Sequence, residues 1–255
     1  MGEHRFHTPY PVELEVKTPI GDIDVETIDG EESTIVVEGT ERLVELTEVR
    51  LDGNRLVVEL RGKKPFGITI SIGDFSFGNS TLRVRARVPH SSRTLFATAS
   101  ADIKVRGRVG DLDAKTASGD VVVQGEIERE AAVKTVSGDV RLERVGGDLR
   151  VQTVSGDAHA TRVGGSVETK TVSGDVRVES VREGSLTAQS VSGDIEVGVE
   201  AGTKLDVDAG SVSGDLTSEI PLGDDPQATD GDGPSLVVRG KTVSGDFRVF
   251  RAQPS

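Results

Sequence analysis

The chain has 255 residues, 35% hydrophobic and only 3% aromatic, with a formal net charge of −13 and no cysteine. Such a composition fits a thin repetitive core better than an aromatic-rich globule, and the lack of cysteine excludes disulfides, thiolate metal centres and thiol catalysis. The acidic balance argues against nucleic acid or anionic lipid as a direct partner.

Met1 to Tyr10 lack the apolar stretch of a secretory leader, and no apolar run in the chain approaches a membrane span. The expected location is therefore cytoplasmic, without membrane insertion. His4 and His7 have a spacing that could hold a metal, but they fall in a segment read as a disordered terminus. Val12 to Val16 alternates apolar and acidic residues, and Pro19-Ile20-Gly21-Asp22-Ile23 reads as a degenerate first copy of a repeat that dominates the chain further on. Val44 to Leu51 and Arg55 to Leu60 flank Asp52-Gly53-Asn54, the signature of an antiparallel hairpin. Ile68 to Ile72 and Phe75 to Phe77 flank Gly73-Asp74 in the same way, and Thr81 to Val88 ends at Pro89. Residues 1–96 thus read as a β-rich N-terminal cap region. Phe66, Phe75 and Phe77 are partner-binding candidates, with coverage of an exposed core layer as their alternative role.

Residues 97–255 are read as the repeat proper. Ser-Gly-Asp occurs seven times, beginning at Ser118, Ser137, Ser155, Ser173, Ser192, Ser213 and Ser244, and the step from Ser137 to Ser155 and on to Ser173 is 18 residues each time. Val136, Val145, Val154, Val163 and Val172 recur every 9 residues, which divides each unit into two halves, each a turn plus a short strand. Strands returning in one sense with no room for a crossover helix pair in parallel only by winding as a solenoid. The expected fold is all-β, a parallel β-solenoid (β-helix) with coils of about 18 residues that rise about 4.8 Å. Val140, Leu142, Leu149, Val151, Ala158, Ala160, Val167, Val176, Val178, Leu186, Ala188, Ile195 and Val197 are expected inward, with Arg141, Glu143, Arg177 and Glu179 outward. Arg150 is expected one coil from Glu168. In the turns, glycine is expected to supply positive φ and aspartate an Asx-type acceptor.

The polar stretch 221–234 reads as an acidic loop, and Phe247, Phe250 and Pro254 as a C-terminal aromatic cap. Caps at both ends favour a monomer or small oligomer over a filament.

Stacking would bring Asp139, Asp157, Asp175 and Asp194 into one column, where each neighbouring pair repels by roughly 1 kcal/mol in a water-like medium. A row of calcium ions is one compensation. Calcium rolls, however, carry a Gly-Gly-x-Gly-x-Asp pattern with a second liganding position, whereas the alternate half-units here are Gly146-Gly147-Asp148 and Gly164-Gly165-Ser166. Turn capping by backbone amides is the alternative, and no metal is expected. Asp230-Gly231-Asp232 reads as an ordinary solvated loop. A hexapeptide acyltransferase helix would give three faces per coil rather than two, and His159, the only histidine in the repeats, lies on the polar phase of its strand and reads as a solvated surface residue. Carbohydrate-cleaving helices cluster aspartates at one coil, whereas this repeat puts the same residues in every coil. No catalytic residue and no cofactor site stand out.

Lys134-Thr135-Val136-Ser137-Gly138-Asp139-Val140 and Lys170-Thr171-Val172-Ser173-Gly174-Asp175-Val176 resemble the ladder of the bacterial putative-adhesin family of β-strand repeat proteins, a domain of unknown function. The resemblance covers nearly the whole chain, including the weak Ile20-Gly21-Asp22-Ile23 copy. It implies a non-enzymatic adhesin-like scaffold or interaction protein with a protein or cell-envelope partner. A calcium-binding β-roll and a carbohydrate-active β-helix enzyme are the alternatives.

Overall fold

A computed structural model describes residues 1–61, 82–220 and 233–253. Phe66, Phe75, Phe77, Asp230-Gly231-Asp232 and Pro254 lie outside the described residues.

Two long sheets face each other, one of 12 strands and one of 11 among the described residues. Each coil places one strand in each sheet. Val140–Val145 lies in the first sheet, Leu149–Gln152 in the second, and Ala158–Val163 returns to the first. The stacking is parallel and in register: Val140 pairs with Ala158, Ala158 with Val176, and Val176 with Ile195. All members of the expected inward set are buried, none more than 6% exposed. These side chains are small or β-branched because the space between the sheets is narrow.

At both ends the spatial order of coils departs from the order of the chain. The strands Glu13–Thr18 and Asp22–Ile28 form a full coil. It is wedged between the coil of Arg55–Leu60 and Arg83–Pro89 on one side and that of Arg93–Thr98 and Asp102–Val109 on the other. The parallel ladder therefore runs deep into the first 96 residues. At the other end Ser235–Ser244 and Phe247–Arg251 insert between the coil of Gly184–Gln189 and Ile195–Val199 and the outermost coil of Lys204–Ser213 and Leu216–Ser218. Phe247 is consequently in the core, fully buried in the penultimate coil. The last layer consists of the half-buried Leu205, Val207 and Ala209.

Among the described residues, antiparallel pairing is confined to the N-terminal end. Thr47–Asp52 and Arg55–Leu60 make the expected hairpin. Gly2–His7 pairs with Glu32–Glu38, which pairs with Arg83–Pro89. Two expectations are corrected here. The first residues are an edge strand rather than a disordered tail, and alternation puts His4 on the half-buried face and His7 on the exposed face, so they do not converge. Residues 41–46, from which a strand was expected to start at Val44, form a short helix instead. Glu41–Leu46 turns Leu43 into the core, and the Thr47 hydroxyl closes the last turn by donating to the Leu43 carbonyl at 2.7 Å.

Candidate functional site: the Ser-Gly-Asp edge

One corner of every repeat coil is built by Thr/Ser-Val-Ser-Gly-Asp, with Ala117 replacing valine in the first. Its glycine is needed for close approach rather than for left-handed backbone at Gly119, Gly138, Gly156 and Gly174. A Cβ on Gly138 would lie 2.0 Å from the Gly119 carbonyl oxygen, and one on Gly156 2.2 Å from that of Gly138. The corner threonine faces inward, where the Thr135 hydroxyl accepts a bond from the Gly138 amide at 2.9 Å.

The stack does collect Asp139, Asp157, Asp175 and Asp194 into one column, and the compensation for their charge runs between coils rather than within each turn. Oδ1 of Asp139 accepts the amide of Asp157 at 3.1 Å, Oδ1 of Asp157 that of Asp175 at 2.9 Å, and Oδ1 of Asp175 that of Asp194 at 2.9 Å. The same bond extends the column from Asp102 through Asp120 at one end and through Asp246 to Asp215 at the other. Each amide donor offsets part of the repulsion between neighbouring carboxylates. Arg141 adds an ion pair to Asp139 at 2.7 Å. Among the described residues no three acidic or histidine side chains converge as a metal centre.

The valines preceding Ser-Gly-Asp form a second column. Val136, Val154, Val172, Val191 and Val243 are each between 45% and 50% exposed, whereas Val145 and Val163, 9 residues away at the opposite corner, are buried. The two half-units are thus unequal: one corner turns its valine inward, the other turns threonine inward and valine out. Stacking is direct, since the Ser155 amide bonds the Val136 carbonyl at 2.8 Å and the Ser173 amide the Val154 carbonyl at 2.7 Å. The result is a continuous apolar line beside a line of carboxylates. Sequence reasoning used these valines as period markers and missed their exposure; the signal was an inward threonine immediately before them.

The outer sheet faces carry cross-coil charge pairs. Arg150 meets Glu168 at 2.9 Å as expected, and Lys170 with Arg150 holds the Glu168 carboxyl down to about 2. His159 sits between Arg141 and Arg177 in the stack and contacts Glu179 at 2.9 Å. Arg129 holds Asp111 through two bonds of 3.0 and 2.7 Å, lowering its pKa.

A family model described as Toastrack DUF4097 matches residues 13–250. Among solved structures, the chain is similar to a putative lipid binding protein from Parabacteroides distasonis, at 15% identity and a TM-score of 0.60 over 97% of this chain and 96% of that one. It is also similar to a putative adhesin from Bacteroides fragilis, at 14% identity and a TM-score of 0.53 over 97% and 95%. A putative adhesin from Parabacteroides distasonis gives 16% identity and a TM-score of 0.52 over 97% of each chain. At such identities the likeness is one of fold. A comparison with curated proteins finds no match.

Proposed function

The chain belongs to the Toastrack DUF4097 family, and from that premise we propose that it is a non-enzymatic, adhesin-like interaction scaffold that meets its partner along the Ser-Gly-Asp edge. The observation that carries this reading is the exposed valine column. Half-exposed valines repeated over successive coils make a contiguous apolar strip on the order of 400 Å², within the range of the largest patch of an ordinary monomer, which is often functional. Solubility alone would be served better by a polar residue at this corner, and threonine has the same shape and β preference.

The name of the Parabacteroides distasonis neighbour raises lipid as a ligand. Binding within the solenoid is disfavoured, because the space between the sheets is filled: a cavity lined by Val140, Leu142, Val176 and their neighbours measures about 10 Å³, no more than one water needs. A partner is therefore met on the outside, and the regular lines of the edge suit a protein or cell-envelope surface. The scaffold acts as a monomer or small oligomer. Replacing Val136, Val154, Val172 and Val191 together by threonine tests the reading: binding of the purified chain to bacterial envelope fractions should fall while its melting temperature holds. Unchanged binding would contradict it.

A further inference from the structure

The outer face of the 12-stranded sheet has a gap in its side-chain cover at Gly198. A Cβ there would lie 1.8 Å from the Glu179 carbonyl oxygen and 3.0 Å from Cε2 of Phe250, so the Phe250 ring leans over bare backbone. Gly198 and Phe250 are register partners on adjacent strands. Phe247 and Val249 of the same strand point into the core, so alternation sends Phe250 outward, half-buried, between the exposed Arg248 and Arg251. An outward aromatic on a sheet face covered mostly by charged and polar side chains is not explained by packing of the core.

Around the ring opens a hollow of about 390 Å³, walled by Arg177, Glu179, Glu196, Glu219 and Arg248. The guanidinium carbons of Arg177 and Arg248 lie 5.5 and 5.9 Å from the ring centroid. Arg177 pairs with Glu196 and, at 3.8 Å, with Glu179; Arg248 pairs with Glu219 and, at 3.9 Å, with Glu196. Carboxylates and guanidiniums therefore alternate around an apolar floor, each held by its neighbours.

We propose that this hollow is a binding site for a neutral saccharide of one or two rings. Its volume falls in the range of small-ligand sites. A charged ligand would have to compete with an existing ion pair, and the walls supply no surplus field to draw one in. Sugar hydroxyls both donate and accept, so they fit fixed acceptors and donors in alternation, while the C–H face of a pyranose packs on the exposed part of the ring. The site is open, so millimolar affinity is expected. It lies on a sheet face apart from the valine edge and stands or falls independently of it.

The test uses the full chain with cellobiose, maltose and lactose as probes, and glucuronate and glucosamine as charged controls, followed by amide and arginine side-chain NMR shifts. The expected result is binding of at least one neutral disaccharide, with shifts centred on Gly198, Arg248 and Phe250. Phe250→Ala should weaken it about tenfold, and Phe250→Leu, which keeps apolar bulk without a ring, should also weaken it. Should the alanine variant fail to fold, the leucine variant decides. Binding of none of the three disaccharides, shifts centred elsewhere, tighter binding of a charged control, or full affinity in the leucine variant would each overturn the proposal.

Discussion

The amide of Asp175 donates to Oδ1 of Asp157 across one coil at 2.9 Å. Each aspartate of the column between its ends, Asp102 and Asp215, is thus an acceptor for one neighbour and, through its backbone, a donor to the other. The charge column is part of the hydrogen-bond framework that holds the coils in register.

Asparagine keeps an Oδ1 acceptor, while alanine leaves the Asp175 amide without its partner. Asp157→Ala is expected to cost about 1 kcal/mol and Asp157→Asn under about 0.5 kcal/mol. Urea unfolding of the two variants provides the comparison, and equal losses would mean that the bond from the Asp175 amide contributes nothing.

Gly156 and Gly210 separate close approach from simple flexibility. A Cβ at Gly156 meets the Gly138 carbonyl oxygen at 2.2 Å, whereas one at Gly210 meets nothing within 4 Å. Gly156→Ala should cost about 3 kcal/mol by forcing two coils apart, and Gly210→Ala under about 0.5 kcal/mol. Similar melting shifts would show that the carbonyl stack yields easily.

Val163 and Val154 lie 9 residues apart in equivalent places of the half-unit, one buried and one half-exposed. Val163→Asp buries a carboxylate and is expected to cost about 3 kcal/mol or more, while Val154→Asp should cost under about 1 kcal/mol. Thermal unfolding of both variants tests the inequality of the two corners.

The period of 18 and the alternation of residues such as Val140, Arg141 and Leu142 made the coil and its inward face legible in the sequence, because those features depend only on neighbours along the chain. The order of coils at the ends was not legible. Glu13–Thr18 pairs with Arg93–Thr98 and Arg55–Leu60 through contacts far apart in sequence, which no local pattern marks. For the same reason Phe247 read as a cap, although a later coil segment slides beneath an earlier one and buries it. The valine column escaped because an apolar residue recurring every 9 positions reads as core. Its outward turn follows from Thr135 taking the inward place, where its hydroxyl binds the Gly138 amide. At the edge, glycine read as a φ requirement; that holds at Gly193, Gly214 and Gly245, whereas at Gly119, Gly138, Gly156 and Gly174 it is the neighbouring coil's carbonyl that excludes a Cβ.

Glu168 gives the chain an acid-sensitive contact. Lys170 and Arg150 lower its folded pKa from 4.5 to about 2. A group with a depressed folded pKa adds stability above its unfolded value and loses it as pH falls through the folded one, so this contribution declines between about 4.5 and 2. Salt screens an exposed pair of this kind, so the effect should shrink at high ionic strength. A carboxyl-detected NMR titration should find Glu168 below the ordinary glutamate range; a midpoint near 4.5 would contradict the pairing.

The claim that the valine edge is the interaction surface is tested most directly by site-specific photo-crosslinking. A photoreactive residue replaces Val154 in one full-length chain and Arg150, on the outer face of the 11-stranded sheet, in another. Both are then exposed to the envelope and soluble fractions of cells of the source organism. The account predicts a discrete adduct from position 154 that is lost when Val136, Val172 and Val191 are threonine, and none from position 150. Adducts of equal yield from both positions, or none from position 154, would contradict it.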